Sequence, residues 1–421
     1  MKNEPSIDGG RLLDRIRALG RIGALPGGGV CRLALSLEDK AARDCLVGWM
    51  KELGLDVAVD RIGNIFGVRA GRTKGTPIMV GSHIDTVRTG GLYDGSLGVL
   101  AGLEIVVALD AAGVVTDRPI AIAAFTNEEG ARFAPDMMGS LVFVGGLSPD
   151  DALATVGIDG ARVGDCLNRI GYAGDASPFP DGVHAYVELH IEQGPVLEAE
   201  GKDIGIVEGV QAISWTELMI HGISAHAGTT PMRLRRDAGH AASAIAVGVR
   251  RIVEEFGGDQ LGAVGSLTLE PNLVNVVAER ARMTIDLRNP SEATLCDAEA
   301  RLDSLAGLVA QEENVTVESR RLARFQATDF NIPLLSRFET EARRRGLSTR
   351  RLFSGAGHDA QILARICPSA MIFVPSVGGI SHNINEHTCP GDIANGANLL
   401  LAVVIDLAGI TRDNNRGAAP Q

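Results

Sequence analysis

PIAIAAFTNEEG, residues 119–130, is the stretch on which the reading of this chain turns. Ile120 to Phe125 carry no polar side chain, and a short apolar run of this kind suits a buried strand. Thr126 and Asn127 end it. Two glutamates, Glu128 and Glu129, then stand side by side, where they repel each other and where neither suits a buried strand end. In open α/β sheets the ligand crevice lies just past the carboxyl ends of the strands. A strand that delivers two carboxylates to that edge therefore points to a site.

Outward from this stretch, strand-like and helical patterns alternate. PIMVGS (77–82) is strand-like, and LGVLAGLEIVVALDAAG (97–113) has apolar residues at helical spacing and ends near Gly113, a C-cap candidate. LVGWMKELGLDV (46–57) also has helical spacing. The β-α-β order predicts an α/β domain whose buried strands are largely parallel. HAYVELHIEQG (184–194) alternates strictly, which predicts a half-buried strand with Tyr186, Glu188, His190 and Glu192 on a polar face. Beyond Gly209 the texture changes. WTELMIHG, AVGSLTLE, ARMTIDLR and VTVESRRL read as strands, and DAGHAASAIAVGVRRIVEEF and EATLCDAEARLDSLAGLVAQEE as helices. Four strands and two helices suit a small α+β sandwich. The alternation resumes with IPLLSRFETEARRRG, a helix opening at GAGHDA, the strand AMIFVPS and the helix ANGANLLLAVVIDLAG. The expected organisation is one α/β domain built from residues 1–210 and 329–421, with residues 211–328 inserted.

Composition bounds the function. The 421 residues carry a net charge of −12, which argues against a nucleic-acid or anionic-membrane partner. The arginine runs RLRRD (233–237) and RRRGLSTRR (343–351) read as solvated helix faces. Six scattered cysteines without a C-x-x-C pair form neither a disulfide framework nor a thiolate zinc site, and fit a reducing compartment. MKNEPSIDGG lacks the pattern of a signal peptide, LLLAVVIDLAGI (399–410) is interrupted by Asp406 and reads as a packed helix, and the tail TRDNNRGAAPQ (411–421) is expected to fray. A cytoplasmic protein is expected.

Strand-like runs lead into His83, into Glu128 and Glu129, into His190 and into His382; Asp94 lies in the glycine-rich turn TGGLYDGSLG (89–98). Three imidazoles and three carboxylates without a thiolate suit Zn²⁺, Mn²⁺, Co²⁺ or Ni²⁺. His83 and Asp85 lie two apart, the spacing of a carboxylate that orients a histidine ligand. A carboxylate between two metals can bridge them, and such a pair can polarise a carbonyl. His184, His221, His240 and His387 read as surface or satisfied core residues.

GSHIDTV, GGLYDGSLGVLAGLE, TNEEGARF, HIEQGPVLE, SAHAGTTPM and SHNINEH, in this order, resemble the signatures of M20-type binuclear metallohydrolases. More narrowly they resemble the hydantoinase/carbamoylase branch, which holds N-carbamoyl-L-amino-acid hydrolases, β-ureidopropionases and allantoate amidohydrolases. The resemblance runs from about residue 46 to about residue 400. It implies a mixed-sheet catalytic α/β domain with an inserted α+β sandwich that serves as lid and dimerisation domain, and hence a homodimer. It also implies two divalent metal ions per chain, Zn²⁺ or Mn²⁺ first, Co²⁺ or Ni²⁺ next. His83 and His190 would hold one, Glu129 and His382 the other, with Asp94 between them. Glu128 would be the general base and Asp85 would orient His83. His226 would be the oxyanion donor, set before Thr229, Thr230 and Pro231, which read as a helix cap and first turn. Arg288 would hold a substrate carboxylate, with Asn275, Gln193, Gly357 and His358 as further contacts. The last two would open a helix whose N–H groups suit a carboxylate. In the implied reaction the lid closes over a small-molecule N-carbamoyl-L-amino acid or β-ureido acid, and the ureido C–N bond is cleaved to amino acid, CO₂ and ammonia. Allantoate cleavage by the same machinery is the alternative. An aminoacylase or dipeptidase ranks lower, and a non-catalytic metal-binding dimer lowest.

Overall fold

Ser36 accepts the backbone N–H of Asp39 and starts the helix Leu37–Glu52. Gly54, at φ +68°, then turns the chain. The helical pattern expected up to residue 57 therefore stops early, and its last residues form a strand. The computed structural model describes residues 5–410; the expectation for the tail 411–421 falls outside them. In chain order the strands are β1 (Asp56–Val59), β2 (Ile65–Arg69), β3 (Ile78–His83), β4 (Ile120–Phe125), β5 (Ala185–Ile191) and β6 (Ile204–Val210). Next come β7 (Ala212–His221), β8 (Ala225–His226), β9 (Leu261–Glu270), β10 (Val276–Val277), β11 (Arg280–Asn289) and β12 (Thr316–Phe325). The last three are β13 (Thr328–Asp329), β14 (Thr349–Ser354) and β15 (Ser369–Val374). The chain divides into two compact units, one from residues before Gly209 together with those from Asp329 onward, the other Gly209–Thr328.

In the first unit the strands form a mixed sheet in the order β1-β2-β4-β3-β5-β15-β6-β13, with β14 on β6. Its centre is parallel: β4 with β3, β3 with β5, and β5 with β15. Strands β3, β4, β5 and β15 are buried along their whole length. The expectation of a half-exposed β5 is thus corrected. Strand β5 lies between two parallel neighbours and both of its faces are covered. Its alternating polar residues are therefore interior groups that need partners. Glu188 has them: Ser82 and Tyr186 donate hydroxyl hydrogen bonds of 2.7 and 3.0 Å, and the N–H of Ala360 adds a third at 3.2 Å. Behind the sheet, the helix Ser96–Ala111 buries Glu104, which Arg11 and Arg15 neutralise from the helix Gly9–Gly20. Arg15 also covers the ring of Trp49 at 5.1 Å. The helix Pro390–Ala408 is apolar and long enough to cross a membrane, but Ile393, Ala397, Leu400 and Val404 are fully buried as core residues.

The second unit is an antiparallel sheet, β12-β7-β11-β9, with helices Ala238–Phe256 and Glu292–Glu312 over one face. Ala281, Met283, Ile285 and Leu287 of β11 enter its separate core with Leu218, Ile245 and Leu302. On the other face Trp215 meets Phe325 at 6.3 Å, and Arg282 and Arg320 pair with Glu217. Strands β8 and β10 form a short ribbon that sets Val276 opposite His226. The expected helix at Thr229–Pro231 is only the approach to a single 3-10 turn, Met232–Leu234. The helix proper starts at Ala238 because the Asp237 carboxylate accepts the N–H groups of Gly239 and His240. RLRRD is therefore not a helix face. Arg235 donates to the carbonyls of Thr230 and Ala227, and Arg236 to that of Asn314. Of the second arginine run, Arg350 and Arg351 lie on β14 and pair with Glu200 and with Glu208 and Glu339.

Candidate metal centre

Parallel strands bring their carboxyl ends to one edge, and the ligand-type residues gather there. His83 is the last residue of β3, His190 lies near the end of β5, Glu128 and Glu129 follow β4, and His382 follows β15. Asp94 comes from the turn between β3 and the helix Ser96–Ala111. Its Oδ1 lies 3.7 Å from His83 Nε2 and 3.2 Å from His190 Nε2. Its Oδ2 lies 3.3 Å from His382 Nε2, which is itself 3.3 Å from Glu129 Oε2. One carboxylate thus serves two ligand groups, His83–Asp94–His190 and Asp94–Glu129–His382. Glu128 belongs to neither; its Oε2 stands 3.4 Å from His83 Nε2. His382 is exposed and the other members are nearly buried, so the second group faces solvent.

The backbone fixes how the rings present themselves. His83 Nδ1 meets the carbonyl of Asp85 and His190 Nδ1 that of Ile191, each at 2.9 Å. A carbonyl only accepts, so each Nδ1 carries a proton; in its neutral form each ring then turns a bare Nε2 toward Asp94, the form a cation needs. Asp85 therefore holds His83 by its backbone carbonyl, not by its carboxylate as the spacing suggested. Its carboxylate instead accepts the N–H groups of Glu128 (3.2 Å) and Glu129 (3.3 Å) and fixes the turn that aims both glutamates.

The electrostatics call for cations. Burial pushes Glu128 well above the ordinary carboxylate range, and Asp359, Glu129, Asp85 and Asp94 push the same way. Burial, then Asp94 and Asp85, raise Glu129. Burial raises Asp85 to about 7 and lowers His83 to about 4. His190 stands at about 9, because the hydrogen bond and charge of Asp94 outweigh its burial. Buried carboxylates with raised pKa, beside imidazoles that expose Nε2, form a donor set that divalent cations would satisfy.

The remaining expected residues lie as follows. Gln193, at φ +57°, donates from Nε2 to Asp94 Oδ2 at 2.9 Å, and its Oε1 is buried without a partner among the described residues. His358 is buried; its ring lies 4.6 Å from that of His190 and its Nε2 is 2.8 Å from Ser354 Oγ. The helix after Gly357, Asp359–Leu363, is a single short turn, and Glu188 already takes the N–H of Ala360. The N-terminus expected to be free for a carboxylate is thus partly occupied by the protein itself. In the second unit, His226 is exposed and its Nδ1 accepts the N–H of Gly228 at 3.0 Å. The neutral ring consequently carries its proton on Nε2, as a donor must, and this is the opposite tautomer to the ligand-type histidines. Asn275 is exposed beside it and accepts the N–H of Ala227. Arg288 grips Asp286 with two guanidinium nitrogens. Pattern reading missed Arg32, which is buried and donates to the Ile84 carbonyl and Ser96 Oγ, tying the His83 strand end to the turn after Asp94. It also missed Glu386 and Ser381, which hold the Asp94 turn. Glu386 falls within SHNINEH, but nothing in that pattern says which backbone it meets.

The model of Peptidase family M20/M25/M40 matches residues 79–406, a span that includes every residue of this centre. The chain belongs to the M20 family. It is 38% identical over 405 residues to an N-carbamoyl-L-amino-acid amidohydrolase of Rhizobium meliloti, covering 96% of this chain and 97% of that one. It is 34% identical to the allantoate amidohydrolase of Escherichia coli, over 93% of this chain and 96% of the other. Among solved structures, an amidase of the hydantoinase/carbamoylase family from Burkholderia multivorans superposes with a TM-score of 0.93 at 42% identity, covering 96% and 98% of the two chains. Divalent metal binding goes with M20 membership, and this M20 chain carries the ligand groups for it.

Proposed function

We propose that the chain hydrolyses the ureido C–N bond of N-carbamoyl-L-amino acids, releasing the amino acid, CO₂ and ammonia. The observation that carries this reading is the division of labour at the strand edge: Asp94 is shared by two ligand groups, and Glu128 beside them is left out of both. His83, His190 and Asp94 would hold one divalent ion, and Asp94, Glu129 and His382 a second, with Zn²⁺ or Mn²⁺ favoured by the donor types. Bound cations supply Lewis acidity, which polarises the carbonyl and acidifies water. Glu128 takes the proton of the attacking water and returns it to the departing nitrogen, so a poor leaving group departs neutral. Gln193 Oε1, buried and open, accepts from the ureido N–H₂. His226, with its proton on Nε2, donates to the developing oxyanion. Arg288 exchanges Asp286 for the substrate carboxylate, the same planar two-point grip.

The second unit's own geometry favours a two-chain site. His226 and Asn275 lie on the ribbon that precedes β11, and Arg288 lies eight residues along β11 from Arg280, roughly 26 Å of strand. A carbamoyl amino acid spans only a few bonds and cannot reach both ends of one copy. The residues that meet one substrate therefore come from two copies of this unit. Strand β9 supports the dimer. It is an edge strand, uncharged from Leu261 to Leu269, with Leu261 and Leu267 exposed, an unguarded template for pairing.

Glu128→Gln tests the reading. Metal content is expected to stay parental while turnover falls about 10²–10⁴-fold; parental turnover on N-carbamoyl amino acids sinks it. Mixing inactive His226→Ala and Arg288→Ala chains tests the two-chain site. Mixed dimers should regain activity at one of their two sites, whereas a site built within one chain stays dead in every mixture. Allantoate cleavage is the second reading, favoured by the Escherichia coli relative. Relative kcat/KM on N-carbamoyl-L-amino acids, N-carbamoyl-β-alanine and allantoate separates the two.

A further inference from the structure

Beyond the ligand set, Glu386 joins the two loops that must face each other across the centre. It is buried, 6% exposed. Its Oε1 accepts the backbone N–H groups of Tyr93 (3.1 Å) and Asp94 (3.2 Å), and its Oε2 accepts the hydroxyl of Ser381 at 3.0 Å. Ser381 precedes His382, and its hydroxyl also lies 3.3 Å from Asp94 Oδ2. One carboxylate thus grips the backbone of the shared ligand and the residue beside the exposed one. The fit is close: a Cβ on Gly91 would fall 2.0 Å from Glu386 Oε1, so the turn passes the carboxylate as glycine. His387 closes the same junction from the other side, where its Nδ1 meets the Tyr93 hydroxyl at 3.3 Å.

We propose that Glu386 is a positioning residue that sets Asp94 and His382 at ligating distance before the cation arrives. It touches neither substrate nor reacting atoms. The His382 loop runs eight residues beyond the end of β15 and His382 is exposed, so strand pairing does not fix its ring. The Thr89 hydroxyl donates to the His382 carbonyl at 3.2 Å, and the hydrogen bonds of Glu386 add the tie from Ser381 to the Asp94 turn; without them two buried N–H groups lose their acceptor. The proposal rests on the reading of Asp94 and His382 as ligands.

Titration of the metal-free full-length chain with Zn²⁺ or Mn²⁺, followed by calorimetry, tests it. Glu386→Ala should weaken binding about 10- to 100-fold, the usual effect of losing an outer partner of a ligand. Glu386→Gln keeps the acceptor for both N–H groups and should restore most of that loss. Parental affinity in Glu386→Ala overturns the proposal, even if the metal-free protein melts earlier, because the role is then only structural. Equal weakening by Ala and Gln also overturns it, since charge and not geometry would then matter. Should Glu386→Ala fail to fold, Ser381→Ala removes only the hydroxyl link. It should weaken binding about 10-fold, and parental affinity there overturns the proposal. A parental chain that binds no metal rejects the ligand reading itself, an outcome distinct from the others.

Discussion

Adjacent in sequence, Glu128 and Glu129 differ in what stands opposite them. Glu129 faces His382 across 3.3 Å, and Glu128 faces the edge of His83. Glu129→Gln should therefore lower metal affinity by about 100-fold, at or beyond the upper end for an outer partner, as read by metal content after dialysis. Glu128→Gln should leave it unchanged. The histidines divide in the same way. A backbone carbonyl at Nδ1 leaves His83 and His190 the Nε2 that the proposed ligand role needs, and a backbone N–H at Nδ1 leaves His226 the Nε2 proton that the proposed donor role needs. No sequence pattern carries that distinction, because the deciding partners are main-chain atoms. The same holds for Arg32, Glu386 and the carboxylate of Asp85, whose partners are mostly backbone groups far away in sequence.

At the scale of elements, the site is an edge where parallel strands stop. His83 and the two glutamates could be read from sequence because short apolar runs announce buried strands and end close to them. Strand β5 was misread because alternation looks the same whether its polar face meets water or an interior site; only its neighbours β3 and β15 decide. His382 lies well beyond β15, and its place depends on loop contacts that pattern cannot supply. The turn after Asp94 is equally specific. Gly95 has φ +62°, and a Cβ there would come 2.3 Å from His83 Nε2. Gly95→Ala is therefore expected to retain parental helix content by circular dichroism and lose metal affinity by about 10-fold or more. Unchanged affinity would show that the ring can move aside at no cost.

At the scale of the whole molecule, the inserted unit was legible as a change of texture because an antiparallel sandwich and a parallel sheet bury their strands differently. Its two helices start where their patterns do, at Ala238 and Glu292, but the further helix expected at Thr229–Pro231 gives only a 3-10 turn, since Asp237 and not Thr229 or Thr230 supplies the cap. The candidate ligand groups all lie in the first unit, so on the proposed reading chelation should act there. At free metal 100-fold above Kd, an ion that binds only the folded state adds about 2.7 kcal/mol. The chain offers a direct way to see where that energy goes. It has two tryptophans, Trp49 beneath Arg15 in the first unit and Trp215 against Phe325 in the second. Each unit therefore owns one intrinsic fluorophore. With Trp215→Phe and Trp49→Phe chains, emission melts record the units one at a time, and chelator should lower the Trp49 midpoint more than the Trp215 midpoint. Trp215 is 39% exposed, within reach of a dissolved quencher such as acrylamide. Its emission can therefore report, without any attached label, whether substrate changes the solvent access of the inserted unit's sheet.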